Sequence, residues 1–275
     1  CWELKKGEGY ASPAVSKTRL ILFHLDKGFE IIEARNPENG QKIWTSTAKI
    51  ANKILLLART SELGETKNNI DGLTLFYTDF DRTKIEVREI KKMGRGSVDS
   101  NQIFFDNLEI SEEDRIGEEG KGFIYQMMQF QEERLYAAIA GYTGCELVIN
   151  ETINYTRQIK TFGKPILDNQ IVHYKLSELM TEVEALKALT WKGIEIHVNG
   201  GDCTKLASMS KLKATRLSRK VNDECLQYWG GMGYMDESPI SRAYRDGRLG
   251  SIGGGSDEVM LGIISKYLDI LPGKN

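Results

Sequence analysis

The stretch Gln227-Tyr228-Trp229-Gly230-Gly231-Met232-Gly233-Tyr234 is followed by Ser238-Pro239-Ile240-Ser241-Arg242-Ala243-Tyr244-Arg245-Asp246-Gly247-Arg248, and then by Ile252-Gly253-Gly254-Gly255-Ser256-Asp257-Glu258. The glycines at 230, 231 and 233 do not form the GxGxxG of a dinucleotide-binding turn. They also follow a helical pattern instead of a strand, so a Rossmann reading fails on context. Taken alone they are a helix stop.

Upstream of that stop the chain speaks in helices. Val172, Leu176, Leu179, Val183 and Leu186 recur at steps of four and three, which puts one apolar stripe on one helix face. Leu206, Met209, Leu217, Val221 and Cys225 make a similar stripe, and Phe123, Met127 and Phe130 open an earlier helix. Gly163-Lys164-Pro165 and Gly200-Gly201 punctuate the run. The spacing predicts helices over about 121–160, 168–199, 202–229 and 256–270. Short connections between them fit an antiparallel four-helix bundle.

From about Thr18 to Ile110 the grammar differs: short apolar runs alternate with turns at Asn69, Asp71-Gly72 and Asp106-Asn107. Strands are expected over 53–58, 73–77, 85–90 and 103–105. The fold class is therefore α+β: an antiparallel, β-barrel-like domain over 39–115, then a C-terminal four-helix bundle over 116–275. The N-terminal segment, 1–38, stays unplaced.

Bulk properties exclude several functions. Net charge is -2 over 275 residues, which leaves no electrostatic footprint for nucleic acid. No apolar run approaches the ~20 residues that span a bilayer, so no integral membrane segment is expected. Three scattered histidines (His24, His173, His197) suggest no zinc site. The four cysteines contain no CxxC pair and read as small packing residues in a reducing compartment. The chain begins at Cys1, not Met, without a signal-peptide pattern, and is expected to be a fragment or a processed form.

The three opening motifs, in their order and spacing, resemble the C-terminal signature of acyl-CoA dehydrogenases. Gly40-Gln41-Lys42-Ile43-Trp44-Thr45-Ser46, Met93-Gly94 with Val98-Asp99-Ser100-Asn101, and Ile116-Gly117-Glu118-Glu119-Gly120-Lys121-Gly122-Phe123 continue the likeness, which runs from about Gly40 to Leu271.

That resemblance implies FAD as cofactor and an acyl-CoA substrate oxidised to the 2,3-enoyl-CoA. A base takes the α proton while the β carbon gives hydride to flavin N5. In many members the base is a carboxylate where this chain has Gly254. A second branch, resembling long-chain and isovaleryl-CoA dehydrogenases, carries glycine there and supplies glutamate from a Glu-Arg-Leu motif. Glu133-Arg134-Leu135 matches it, making Glu133 the candidate base, with the Gly254 N–H left to bind the thioester oxygen. An arbitrary glutamate pair is usually a solvated helix face. The coincidence with Gly254 singles Glu133 out, and Glu132, about a hundred degrees away on the helix, serves as a control.

The resemblance also implies that Trp44, Ser46, Thr161, Phe162, Gln227, Gly230, Gly231, Ser256 and Glu258 contact FAD, the strip at 227–231 doing so in a neighbouring subunit. Arg134 holds acyl-CoA or the base's helix. Arg242, Arg245, Asp246 and Arg248 receive no chemistry. Implied partners are electron-transferring flavoprotein and further copies of the chain in a homodimer or homotetramer. The implied location is the mitochondrial matrix in a eukaryote, or the cytoplasm in a bacterium. Two departures stand out. Ile159 replaces an arginine that pairs with the FAD pyrophosphate, and the family's N-terminal helical domain has no counterpart. They keep open an alternative, a non-catalytic relative serving as a structural or assembly subunit with weakened FAD binding.

Overall fold

The computed structural model describes the backbone of 11–16, 19–26 and 29–34, then residues 40–272 except 62–65, 67, 69 and 107. The expected turn residues Asn69 and Asn107, with Cys1, lie outside the described residues. The chain divides into two compact units, Cys1–Gln129 and Phe130–Asn275.

The first unit is built of antiparallel strands. β1 (Ala11–Ser16), β2 (Arg19–Asp26) and β3 (Phe29–Ala34) pair in sequence order. β4 (Gly40–Ser46), β7 (Ile85–Glu89) and β8 (Ser100–Phe105) form a second sheet in the order β4-β8-β7. β5 (Lys53–Arg59), β6 (Leu73–Asp79) and β9 (Arg115–Ile116) form a third, in the order β5-β6-β9. The four expected strands are all present. The barrel-like expectation is corrected in one respect: the described strands form separate open sheets, not a closed barrel. β1 to β3 fall within the segment left unplaced by sequence. Leu56, Leu57, Leu73, Ile103 and Phe105 make the buried core, with Phe123 from the start of α1 (Gly122–Gln158). Gly122 opens that helix because a Cβ there would lie 2.4 Å from the Leu75 amide nitrogen.

The second unit holds the rest of α1, the two-residue strands β10 (Lys160–Thr161) and β11 (Lys164–Pro165), then α2 (Gln170–Val198), α3 (Thr204–Trp229), α4 (Pro239–Gly247) and α5 (Asp257–Tyr267). The four expected helices are these less α4. That helix is short and polar, capped by the Ser238 hydroxyl with Pro239 in its first turn, and carries no long apolar stripe. Every residue of the α2 stripe is buried.

In α3 the reading needs correction. Leu206 and Met209 are only partly buried, and the first half of the helix packs instead through Ala207, Ser210, Lys211 and Ala214. Small residues let neighbouring helices approach closely: a Cβ on Gly141 would stand 2.9 Å from that of Ala214. Leu179 is fully buried in this core. Leu179→Ala is expected to cost about 2–5 kcal/mol of stability, measured by urea denaturation.

Candidate active site

α1 and α3 end side by side. The Tyr155 and Trp229 rings stack with centroids 4.1 Å apart and planes 4° from parallel. Trp229 Nε1 donates to Thr152 Oγ1 at 3.1 Å, and the Tyr155 hydroxyl donates to the Trp229 carbonyl at 3.3 Å. The stack ties the β10–β11 hairpin, which follows α1, to the glycine turn that follows α3. Thr161, Phe162, Gln227, Gly230 and Gly231 therefore gather at one end of the bundle, all of them exposed.

The hairpin turn has Phe162 at φ +51° and Gly163 at φ +82°, the twist that suits a two-residue connection. It presents the Phe162 ring fully to the surface. Gly230 stops α3 at φ +56°, ψ -137°, its N–H donating to the Gln227 carbonyl, and an added Cβ would meet nothing within 4 Å. Only backbone strain therefore opposes a side chain there. Gly230→Ala is expected to cost about 1–3 kcal/mol in a thermal melt without a change in core packing.

The second group surrounds the first half of α3. Leu135 packs with Cys203 and Ala207, and Gln131 accepts a hydrogen bond from Cys203 Sγ, which sets the Glu132-Glu133-Arg134 turn beside the start of α3. Glu132 pairs with His197 Nε2 at 3.3 Å, so the control glutamate is engaged elsewhere. The protein around Glu133 raises its carboxyl above the ordinary value, and the Arg134 charge opposes this. Arg134 lies over the Phe130 ring at 5.8 Å.

The loop before α5 carries Gly254, exposed at φ +62°, and Gly255 at φ +82°. Ser256 caps α5, its hydroxyl accepting from the Val259 N–H. Asp257, buried, accepts from Thr215 Oγ1 at 3.2 Å and from Arg216 Nε at 3.0 Å, fastening α5 to α3. Glu258 is exposed in the first turn.

Beneath this loop lies a residue that sequence reading missed. Lys211 is 2% exposed, and its Nζ donates to the carbonyls of Gly250 at 2.8 Å, Gly253 at 3.2 Å and Gly255. Burial pushes its pKa down to about 8. Asp257 raises it, Arg134 lowers it and Glu258 raises it, so Arg134 and the α5 start share its surroundings. The available signal was a lysine set between Ala207 and Ala214 on a buried helix face. Gln227 is sixteen residues beyond Lys211 on α3, about 24 Å at 1.5 Å per residue. The structure thus gathers the residues of this unit in two groups, not one.

In the first unit, Trp44 and Ser46 sit on β4 where its register against β8 shifts between Lys42 and Thr45. Trp44 adopts φ +67°, a costly conformation for an aromatic residue, and is half exposed. Asn101, buried, donates through Nδ2 to the Thr45 carbonyl at 3.1 Å and to Asp99. That bond is the main reason the Asp99 carboxyl lies below its usual range. The motif Val98-Asp99-Ser100-Asn101 thereby pins the bulge that carries Trp44, a local strain of the kind found at binding sites.

Residues 120–268 match the model of the acyl-CoA dehydrogenase C-terminal domain. The chain belongs to the acyl-CoA dehydrogenase family. It is 33% identical over 231 residues to the mitochondrial long-chain specific acyl-CoA dehydrogenase of Mus musculus, an alignment that takes 84% of this chain and 53% of that protein. A crystal structure of an acyl-CoA dehydrogenase from Geobacillus kaustophilus is 32% identical with a TM-score of 0.80, covering 89% of this chain and 63% of the other. Butyryl-CoA dehydrogenase from Megasphaera elsdenii superposes with a TM-score of 0.78 at 25% identity, covering 94% and 62%. The chain spans about half the length of the curated relatives it matches.

Acyl-CoA dehydrogenases depend on FAD, and the residues present fit that group. Phe162 offers an exposed aromatic face on positive-φ backbone in the second unit, and Trp44 does so by itself in the first. Gly230 and Gly231 leave open space where side chains would stand, and the α5 N-terminus offers amides to a polar or anionic atom. Ile159 is the exception. It is partly exposed at the foot of the hairpin and brings no charge.

Proposed function

We propose that the protein oxidises an acyl-CoA thioester to the 2,3-enoyl-CoA with FAD. The single observation that carries the reading is Glu133 of the Glu133-Arg134-Leu135 turn, exposed beside the start of α3, in a chain that has Gly254 where many family members carry the base. Bound FAD supplies the hydride acceptor. The Glu133 carboxylate takes the proton from the α carbon, so the electron pair left behind forms the α,β double bond as hydride leaves the β carbon. The Gly254 N–H donates to the thioester oxygen and stabilises the negative charge that develops there. Arg134 keeps the base's helix turn in place and meets the anionic substrate.

FAD would be held by Trp44, Ser46, Ser256 and Glu258, with Thr161, Phe162, Gln227, Gly230 and Gly231 serving the cofactor of a neighbouring subunit. Ser256 and Glu258 start α5 near the Lys211 level of α3, about 24 Å along the helix from Gln227, while Thr161 and Phe162 lie at the Gln227 end, which supports two separate contacts over one, with Thr161 and Phe162 in the second. Such an arrangement requires a homodimer or homotetramer. Electrons would leave to electron-transferring flavoprotein. The matching relatives include a mitochondrial protein of a mammal and bacterial proteins, so the compartment follows the source. Among the described residues no helix is long and apolar enough to cross a membrane.

The competing reading, a non-catalytic subunit with weakened FAD binding, is favoured by Ile159. Adding FAD to the purified protein, removing the unbound flavin and recording the visible spectrum separates the two. A retained flavin band is the expected result. A colourless protein after FAD addition counts against the oxidation.

A further inference from the structure

We propose that Lys211 is a positioning residue for the reaction: by holding the Gly253 carbonyl it aims and strengthens the Gly254 N–H as a donor to the thioester oxygen. This rests on the role assigned above to Gly254. The Gly253 carbonyl and the Gly254 N–H belong to one peptide plane, and in a trans peptide they point in opposite directions. An ammonium 3.2 Å from the carbonyl oxygen therefore turns the N–H away from the buried side, toward the exposed face of the loop. No backbone carbonyl among the described residues accepts from it.

The charge does more than orient. Withdrawing electrons at the carbonyl oxygen makes the amide proton more positive, so the donor strengthens through the same peptide. Lys211 treats the neighbouring peptides alike, since the carbonyls of Gly250 and Gly255 also accept from its Nζ. Three acceptors match the three N–H groups of an ammonium, which gives each a fixed direction. The loop needs such a hold because Gly254 and Gly255 both have positive φ and no side chain of their own to anchor them. A buried lysine engaging three carbonyls of a glycine loop exceeds what helix packing alone requires, since an apolar residue would fill the same space without the desolvation of a charge.

The test uses FAD-loaded protein and a straight-chain 2-enoyl-CoA, the reaction product, labelled with 13C at the thioester carbonyl. Infrared difference spectra report the carbonyl stretch in unaltered protein, in Lys211→Met and in Lys211→Gln. In the unaltered protein the stretch is expected well below its value in water. In Lys211→Met it should return at least halfway, with the rate of flavin bleaching by acyl-CoA reduced about 10- to 100-fold, a share of the 100- to 1000-fold value of a full oxyanion donor. Retained FAD and a lesser change in KM would accompany this. Lys211→Gln, which keeps donors but loses the charge, should fall between the two and serves where the methionine variant does not fold. No lowering in the unaltered protein would overturn the role of Gly254 itself. A full lowering retained in a folded, FAD-loaded variant would overturn the role of Lys211 and leave that of Gly254 standing.

Discussion

In FAD-loaded protein, Glu133→Gln is expected to slow bleaching of the flavin by acyl-CoA by about 100- to 10,000-fold, the range that a positioned general base supplies. The amide keeps the size of the side chain and its hydrogen-bonding capacity, so FAD retention and melting temperature should hardly move. Only the proton acceptor is lost. The raised carboxyl pKa of Glu133 adds a second signature in the unaltered protein. Bleaching should increase with pH as Glu133 ionises, with a midpoint above the ordinary glutamate value of about 4.3. A raised carboxylate pKa makes ionisation cost the folded state, so the same group slightly lowers stability as pH climbs from the unfolded to the folded pKa. Glu132→Gln should leave the rate unchanged, since that carboxylate faces His197. Equal slowing by the two substitutions would remove the assignment.

Ile159→Arg carries the second large effect and tests the cofactor rather than the chemistry. Ile159 closes the end of α1, its N–H donating to the Tyr155 carbonyl at 3.1 Å and its own carbonyl accepting from the Ile166 N–H at 2.9 Å. Those bonds belong to the backbone and survive the change. The side chain is partly exposed, so an arginine there needs no new cavity. Arg157 makes a weak stand-in because its guanidinium already donates to Asn154 Oδ1 at 3.4 Å. One charge-assisted bond to a pyrophosphate contributes about 1.5–3 kcal/mol. FAD should thus bind about ten- to a hundredfold tighter in a flavin fluorescence titration. An unchanged affinity would mean that the pyrophosphate does not approach this helix end.

The sequence and the structure agree where one physical signal dominates. Val172, Leu176, Leu179, Val183 and Leu186 announce α2 because an apolar stripe is both the cause of its burial and visible as a period. The strands at 53–59 and 73–79 were legible for the same reason, as short apolar runs between turns. α4 was not, because nine residues held by a serine cap and an N-terminal proline carry no long period. The bulge at Trp44 was equally hidden, since it depends on a shift of register against a strand more than fifty residues away.

Within the candidate site, residues were found through motifs, whose order along the chain is written in the sequence. Their grouping was not. Two clusters at different levels of α3 follow from helix packing, and the hold of Lys211 on three carbonyls follows from a loop closing over a helix forty residues upstream. A lysine on an amphipathic pattern looks like an interruption until the acceptors around it are known.

Oxidation of an acyl thioester by this chain's own residues can be followed by anaerobic titration of the FAD-loaded protein with straight-chain acyl-CoA thioesters of increasing length, with mass analysis of the products. At least one of them is expected to bleach the flavin fully and to yield one 2-enoyl-CoA per flavin reduced. A flavin that stays fully coloured with every thioester, with the acyl-CoA recovered unchanged, would contradict it.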